Sequence, residues 1–214
     1  MYANRIKQSV GLAAVVLATL TAGCGQYIRD GRSPSRVIIT RLSASSGADP
    51  DKLSEHLYSD VITVVRTTPP GTKTEIGVPT IFADNGSVAM IIVLKDQGTA
   101  GITAEPTLLN QVMITRYRVT YRRTDGRNTP GVDVPYPFEY GVTFTVPEKD
   151  IVTAGFELVR HTAKKEAPLA ALTSSPVIIS TIADVTFYGK DLAGNDVSVT
   201  GSIGVDFGNF GDPD

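Results

Sequence analysis

The residue types able to do chemistry are few and widely spread. Arg116, Arg118 and Arg122 alternate along one stretch, Arg123 falls on its other side, and Arg127 follows in the adjoining loop. Guanidinium forks match carboxylate and phosphate, so this spacing offers a ridge for an anionic glycan, a phosphate or an acidic protein surface. The same ridge also reads as a wet sheet face with cross-strand pairing, for which Glu139 is a candidate partner. Wet sheet faces are ordinarily charged, so the second reading is the default. One cysteine, Cys24, stands in the whole chain, so no intrachain disulfide can form.

Catalytic and metal-binding patterns are not found. His56 and His161 are the two histidines, and neither sits in a His-Glu-x-x-His spacing. No Gly-x-Ser-x-Gly elbow is present. His161, with Lys164 and Lys165 after it, reads as the decoration of a strand. Acidic turns at Asp84-Asn85, Asp125, Asp133, Asp191, Asn195-Asp196 and Asp212 supply oxygens that calcium could use. That ion takes about 6–8 oxygen ligands. However, no EF-hand spacing is present, and Asp, Asn and Gly are the ordinary turn formers. The expectation is therefore no catalytic residue, no metal and no cofactor.

The start of the chain is more specific. Arg5 and Lys7 form a positive segment, Val10 to Leu20 is an apolar run without charge, and small residues lead into Cys24. That is the layout of a secretory signal. The run, at roughly 11–14 residues, is shorter than the about 20 that a spanning helix needs. Leu20-Thr21-Ala22-Gly23-Cys24 resembles a bacterial lipobox, with Thr21 standing where the pattern prefers Leu. The resemblance implies cleavage before Cys24, lipidation of its sulfur and acylation of the new amino terminus. Gly25 after it implies outer-membrane sorting if the host is Gram-negative. The expected organisation is a signal peptide over 1–23, a lipidated tether over 24–35 and a β-sandwich domain over 36–214.

Removing residues 1–23 takes away two positive charges and no negative one. The chain of 214 then leaves 191 residues with a net charge of −4, against −2 for the whole. That balance lacks the basic footprint of a nucleic-acid binder. With no disulfide, the fold must rest on its apolar core, and a chain of this length can bury one.

The elements that would position the arginines are strands. Val112 to Arg123 alternates, with Met113, Tyr117, Val119 and Tyr121 on one side and Arg116, Arg118, Thr120 and Arg122 on the other. Phe138 to Val146 repeats the pattern, with Phe138, Tyr140, Val142, Phe144 and Val146 inward. Val88 to Leu94 is apolar at every position, which predicts a central strand covered on both faces. Asp84-Asn85-Gly86 before it reads as a hairpin turn. Asp49-Pro50 opens either a short helix carrying Leu53 and Leu57 or plain loop. Val37–Leu42, Val61–Arg66, Gly155–Ala163, Val177–Tyr188 and Val197–Phe207 are further strand candidates. Long loops at 67–79, 95–106 and 124–137 could gather at the ends of the fold, with Tyr136 and Phe138 at the mouth of the last.

Seven to nine strands with steady turn signals predict an all-β, immunoglobulin-like antiparallel sandwich. The hairpin from Val185 to Val205 looks like the closing hairpin of many Ig-like and fibronectin-like modules. Tyr117 to Asn128, followed by Gly131 to Pro135, is similar to uncharacterised bacterial lipoproteins of this size, a resemblance that implies no activity. The functional expectation is a lipid-anchored cell-envelope protein acting as a non-catalytic binding or structural module. Its partners would be the membrane, through the lipid, and an envelope protein or glycan, with no nucleic acid. The alternatives are a carbohydrate- or anion-binding module using Arg116, Arg118 and Arg122, and a small extracytoplasmic hydrolase.

Overall fold

β-branched and aromatic residues at alternate positions pack well on a pleated, half-buried surface, and the chain uses them throughout. The computed structural model describes residues 33–96, 98–99 and 102–211. The expected signal peptide, Cys24 and most of the tether lie outside these residues, as does Asp212. The strands are β1 (Ser35–Ser45), β2 (His56–Asp60), β3 (Thr63–Thr67), β4 (Ile76–Thr80), β5 (Asp84–Leu94), β6 (Gly98–Thr99), β7 (Ile102–Thr103), β8 (Val112–Arg122), β9 (Phe138–Val146), β10 (Val152–Val159), β11 (Ile179–Asp191) and β12 (Asp196–Gly208). Strands make up 55% of the structure and helix 7%, which places it in the all-β class. Among the described residues no helix is long and apolar enough to cross a membrane.

Two sheets carry the fold. One runs β1-β5-β10 and the other β2-β12-β11-β8-β9, while β3-β4 and β6-β7 are separate hairpins. Pairing within the sheets is antiparallel except for β2, which runs parallel to β12 over Gly204–Gly208. The buried sides of both sheets share one core, a sandwich-like arrangement. Val88 and Met90 of the small sheet and Val119, Val185, Phe187 and Val205 of the large one are fully enclosed. Rings concentrate at its centre. Tyr117 lies 5.3 Å from Phe156, 5.9 Å from Phe187 and 6.2 Å from Phe138.

Several local expectations change. Asp84-Asn85-Gly86 is not a turn but the first part of β5, paired with both β1 and β10. Gly86 is needed there because the Phe156 ring lies where a side chain would stand. β5 is the central strand of its sheet, but it is closed on one face only; Ser87, Ala89 and Ile91 on the other face are half-buried. Of the two readings of Asp49-Pro50 the loop is the one found, and the strand His56–Asp60 that follows is an element the sequence reading lacked. Met113 is 45% exposed, because β8 bulges between Ile114 and Arg116. The extra residue shifts the inward set to Val112, Ile114, Tyr117, Val119 and Tyr121. Gly189 lies opposite that bulge, and a Cβ there would stand 2.2 Å from the Met113 carbonyl oxygen. His161 lies in a turn after β10 and decorates no strand.

The two sheets are also joined by polar contacts. A second bulge, between Glu157 and Val159, disrupts the ladder of β10. The Tyr117 hydroxyl donates to the Glu157 carbonyl at 3.1 Å and accepts from its N–H at 3.2 Å. Tyr121 donates to the Leu158 carbonyl at 2.6 Å. Burial pushes the Tyr117 phenol up to about 12 and Tyr121 higher still. In the unfolded chain both would ionise near 10. Their folded values are raised, so the stability they contribute is complete below about pH 10 and is lost as pH rises through the folded values. We predict alkaline unfolding that begins near pH 10 in a pH series of denaturation midpoints. Tyr121→Phe should flatten that alkaline slope; an unchanged slope would contradict the buried, neutral phenol.

Candidate functional site

The bulge in β8 decides which residues face water on the large sheet. Beyond it, Arg116, Arg118, Thr120 and Arg122 point outward in register with Tyr188, Thr186, Asp184 and Ile182 of β11. β12 continues the face with Ser198, Thr200 and Ser202. The expected ridge therefore exists on one surface, but most of its charge is already engaged. Arg116 meets Glu139 of β9 at 2.5 Å and stacks on the Tyr188 ring at 3.9 Å. Arg122 donates to Asp184 at 2.7 Å, and Ser202 donates to the same carboxylate at 2.6 Å.

Arg118 differs. It is exposed and stands beside Thr186, which shares a 2.8 Å hydrogen bond with Thr200. Among the described residues nothing forms an ion pair with it. Next to the ridge, a hollow of about 400 Å³ is lined by Arg116, Tyr188, Lys190, Asp196 and Ser198. An unpaired guanidinium beside the Thr186 and Thr200 hydroxyls could hold a small anion or a sugar by hydrogen bonds, while the Tyr188 ring is already covered by Arg116.

The other candidates serve turns. Arg123 and Arg127 both bind Asp125 at 2.7 Å, and these hydrogen bonds hold its carboxyl well below the usual carboxylate range. Asp191 accepts from the backbone of Ala193 and Asn195 and from the Asn195 amide, closing the last hairpin. Asp133 accepts from the Thr129 N–H. Among the described residues no group of three or more His, Cys, Asp or Glu side chains is placed to hold a metal. His56 lies 3.0 Å from Asp206. Tyr136 lies over Gly131 within its own loop, and Phe138 belongs to the core.

The strongest polar convergence was not expected. Lys164, 1% exposed, donates to Asp84, 0% exposed, at 2.9 Å and to the Asp60 carbonyl at 2.7 Å. Asp84 also accepts from Ser59 at 2.6 Å and from the Gly47 N–H at 2.9 Å. Burial pushes the Asp84 carboxyl up, against the pull of Lys164 and of these donors. Lysine, aspartate and serine together suggest a nucleophile and a base, but all three are closed off from water and have partners. Their geometry ties four segments together: the loop after β1, the end of β2, the start of β5 and the turn Ala163–Lys165. The sequence signal was slight, because a lysine in a polar turn and an aspartate before Asn-Gly look like surface residues.

No protein-family model, curated protein or solved structure matches the chain.

Proposed function

We propose that this is a lipid-anchored protein of the cell envelope that presents an immunoglobulin-like sandwich as a non-catalytic binding or structural module. The strand arrangement is the observation that carries the module. β8, β9, β11 and β12 would take the places C, C′, F and G of an Ig-like domain, against A, B and E for β1, β5 and β10. Tyr117 on β8, ringed by Phe138, Phe156 and Phe187, would take the core place that antibody domains give to a Trp on strand C. The anchor is supported by the leader and by Cys24 as the single cysteine. Three acyl chains exceed the single chain that binds membranes only marginally. In a Gram-negative host, Gly25 favours the outer membrane. The test is phase partition: the wild-type chain is expected in the detergent phase and Cys24→Ser in the aqueous phase or uncleaved. Wild-type protein in the aqueous phase would remove the anchor.

Arg118 favours a second reading, a glycan- or anion-binding face on the large sheet. Arg118→Ala is expected to abolish retention on an anionic polysaccharide column. Arg116→Ala and Arg122→Ala should weaken it less, since those side chains are already held by Glu139 and Asp184. Equal retention of all three variants with the wild type would set this reading aside.

A further inference from the structure

Four features lie at one end of the two sheets. β1 begins at Ser35 opposite Leu94, where β5 ends. β8 begins at Val112 opposite both Val146, the end of β9, and Asp191, the end of β11. The Ser35 hydroxyl donates to the Asn110 carbonyl at 2.9 Å, which joins these two sets of strand ends. The segment before β8, the β9–β10 connection and the β11–β12 turn therefore surround the point where the folded chain starts.

Each of these three connections exposes a large apolar side chain. Leu108 and Leu109 are 65% and 75% exposed, Ile151 62% and Leu192 59%. Leu108 and Leu109 sit in a short 310 turn with no buried residue, so they cover none of the core. The charges around them are mixed. Lys190 pairs with Asp196, Glu148 accepts from Gln111, and Lys149 lies between Glu148 and Asp150. An anionic surface would gain little from such an end, whereas an apolar interface would.

Ten residue steps lead from Cys24 to Pro34, whose carbonyl already accepts from the Lys95 N–H at the end of the sheet. Ten residues reach at most about 36 Å. β11 and β12 have 13 residues each. A strand of that length spans about 43 Å. An acylated Cys24 therefore keeps the β1 end nearer the bilayer than the opposite end. We propose that this end seats on the membrane, with Leu108, Leu109, Ile151 and Leu192 entering the interface between headgroups and acyl chains. The proposal rests on the anchor reading. It makes the domain a surface-seated module, with the Arg118 face standing alongside the membrane normal and the 123–137 loop facing outward.

The chain contains no tryptophan, so Leu109→Trp provides a single reporter and Val132→Trp, in the 123–137 loop, a control. The full protein is reconstituted into phosphatidylcholine vesicles with brominated acyl chains. A side chain seated in the interface lies about 5–10 Å into the headgroup–acyl boundary, so the Leu109→Trp emission is expected to fall by about half or more. The loss should persist at high salt, and Val132→Trp should be unaffected. An unquenched Leu109→Trp, equal quenching at both positions, or quenching abolished by salt would overturn the proposal. Protein that fails to float with the vesicles would instead count against the anchor. Cys24 is then coupled to a maleimide lipid, and the same quenching decides the seat.

Discussion

Replacing Asp84 with Ala is expected to destabilise the domain by about 3–5 kcal/mol, the cost of removing one partner from a buried ion pair. The carboxylate accepts from Lys164, Ser59 and Gly47. Without it the Lys164 ammonium keeps only the Asp60 carbonyl, in a position that is 1% exposed. The Ser59 hydroxyl and the Gly47 N–H lose their acceptor as well. Because these groups sit on four segments, the loss should loosen the start of β5 together with the turn after β10. Urea denaturation would show a lower midpoint at an unchanged slope. The double variant Asp84→Leu with Lys164→Met removes both charges and should recover most of the loss, since apolar pairs of similar volume often substitute without cost. A loss below about 1 kcal/mol for Asp84→Ala would mean that the pair is not enclosed.

Phe187→Ala should cost a similar amount, about 3–5 kcal/mol. Its ring is fully buried and lies 5.3 Å from Phe156, 5.9 Å from Tyr117 and 6.4 Å from Phe144. These partners come from β10, β8 and β9, so the cavity would open between the sheets where neither can close over it. The neighbouring residue is the control. Tyr188 points outward beneath Arg116, so Tyr188→Ala should cost only about 0.5–1 kcal/mol. Similar losses at 187 and 188 would contradict the alternation of β11. Both variants can be followed by urea midpoints, and by soluble yield if Phe187→Ala does not accumulate folded.

The all-β class was legible because the local signal is strong. Arg116 to Arg122, Phe138 to Val146 and Val197 to Phe207 alternate with a period of two, and each lies in a strand. The Arg116, Arg118 and Arg122 ridge was legible for the same reason, as was Glu139 as a partner for the ridge. What the sequence hid depends on distant residues. Asp84-Asn85-Gly86 has turn chemistry, yet it is strand because Phe156 covers Gly86 and Lys164, 80 residues away, neutralises Asp84. The strand His56–Asp60 pairs with Gly204–Gly208, almost 150 residues later, and its own stretch is too short and polar to announce it. The bulge that turns Met113 outward is set by Gly189 on the facing strand. No local window contains both members of these pairs.

The central claim is the anchor, and one measurement addresses it most directly: the mass of the amino-terminal peptide of the protein isolated from its own cells. The account predicts a peptide that begins at Cys24 and carries acyl chains on the sulfur and the new amino group. A peptide that begins elsewhere, or one with an unmodified Cys24 thiol, would contradict it.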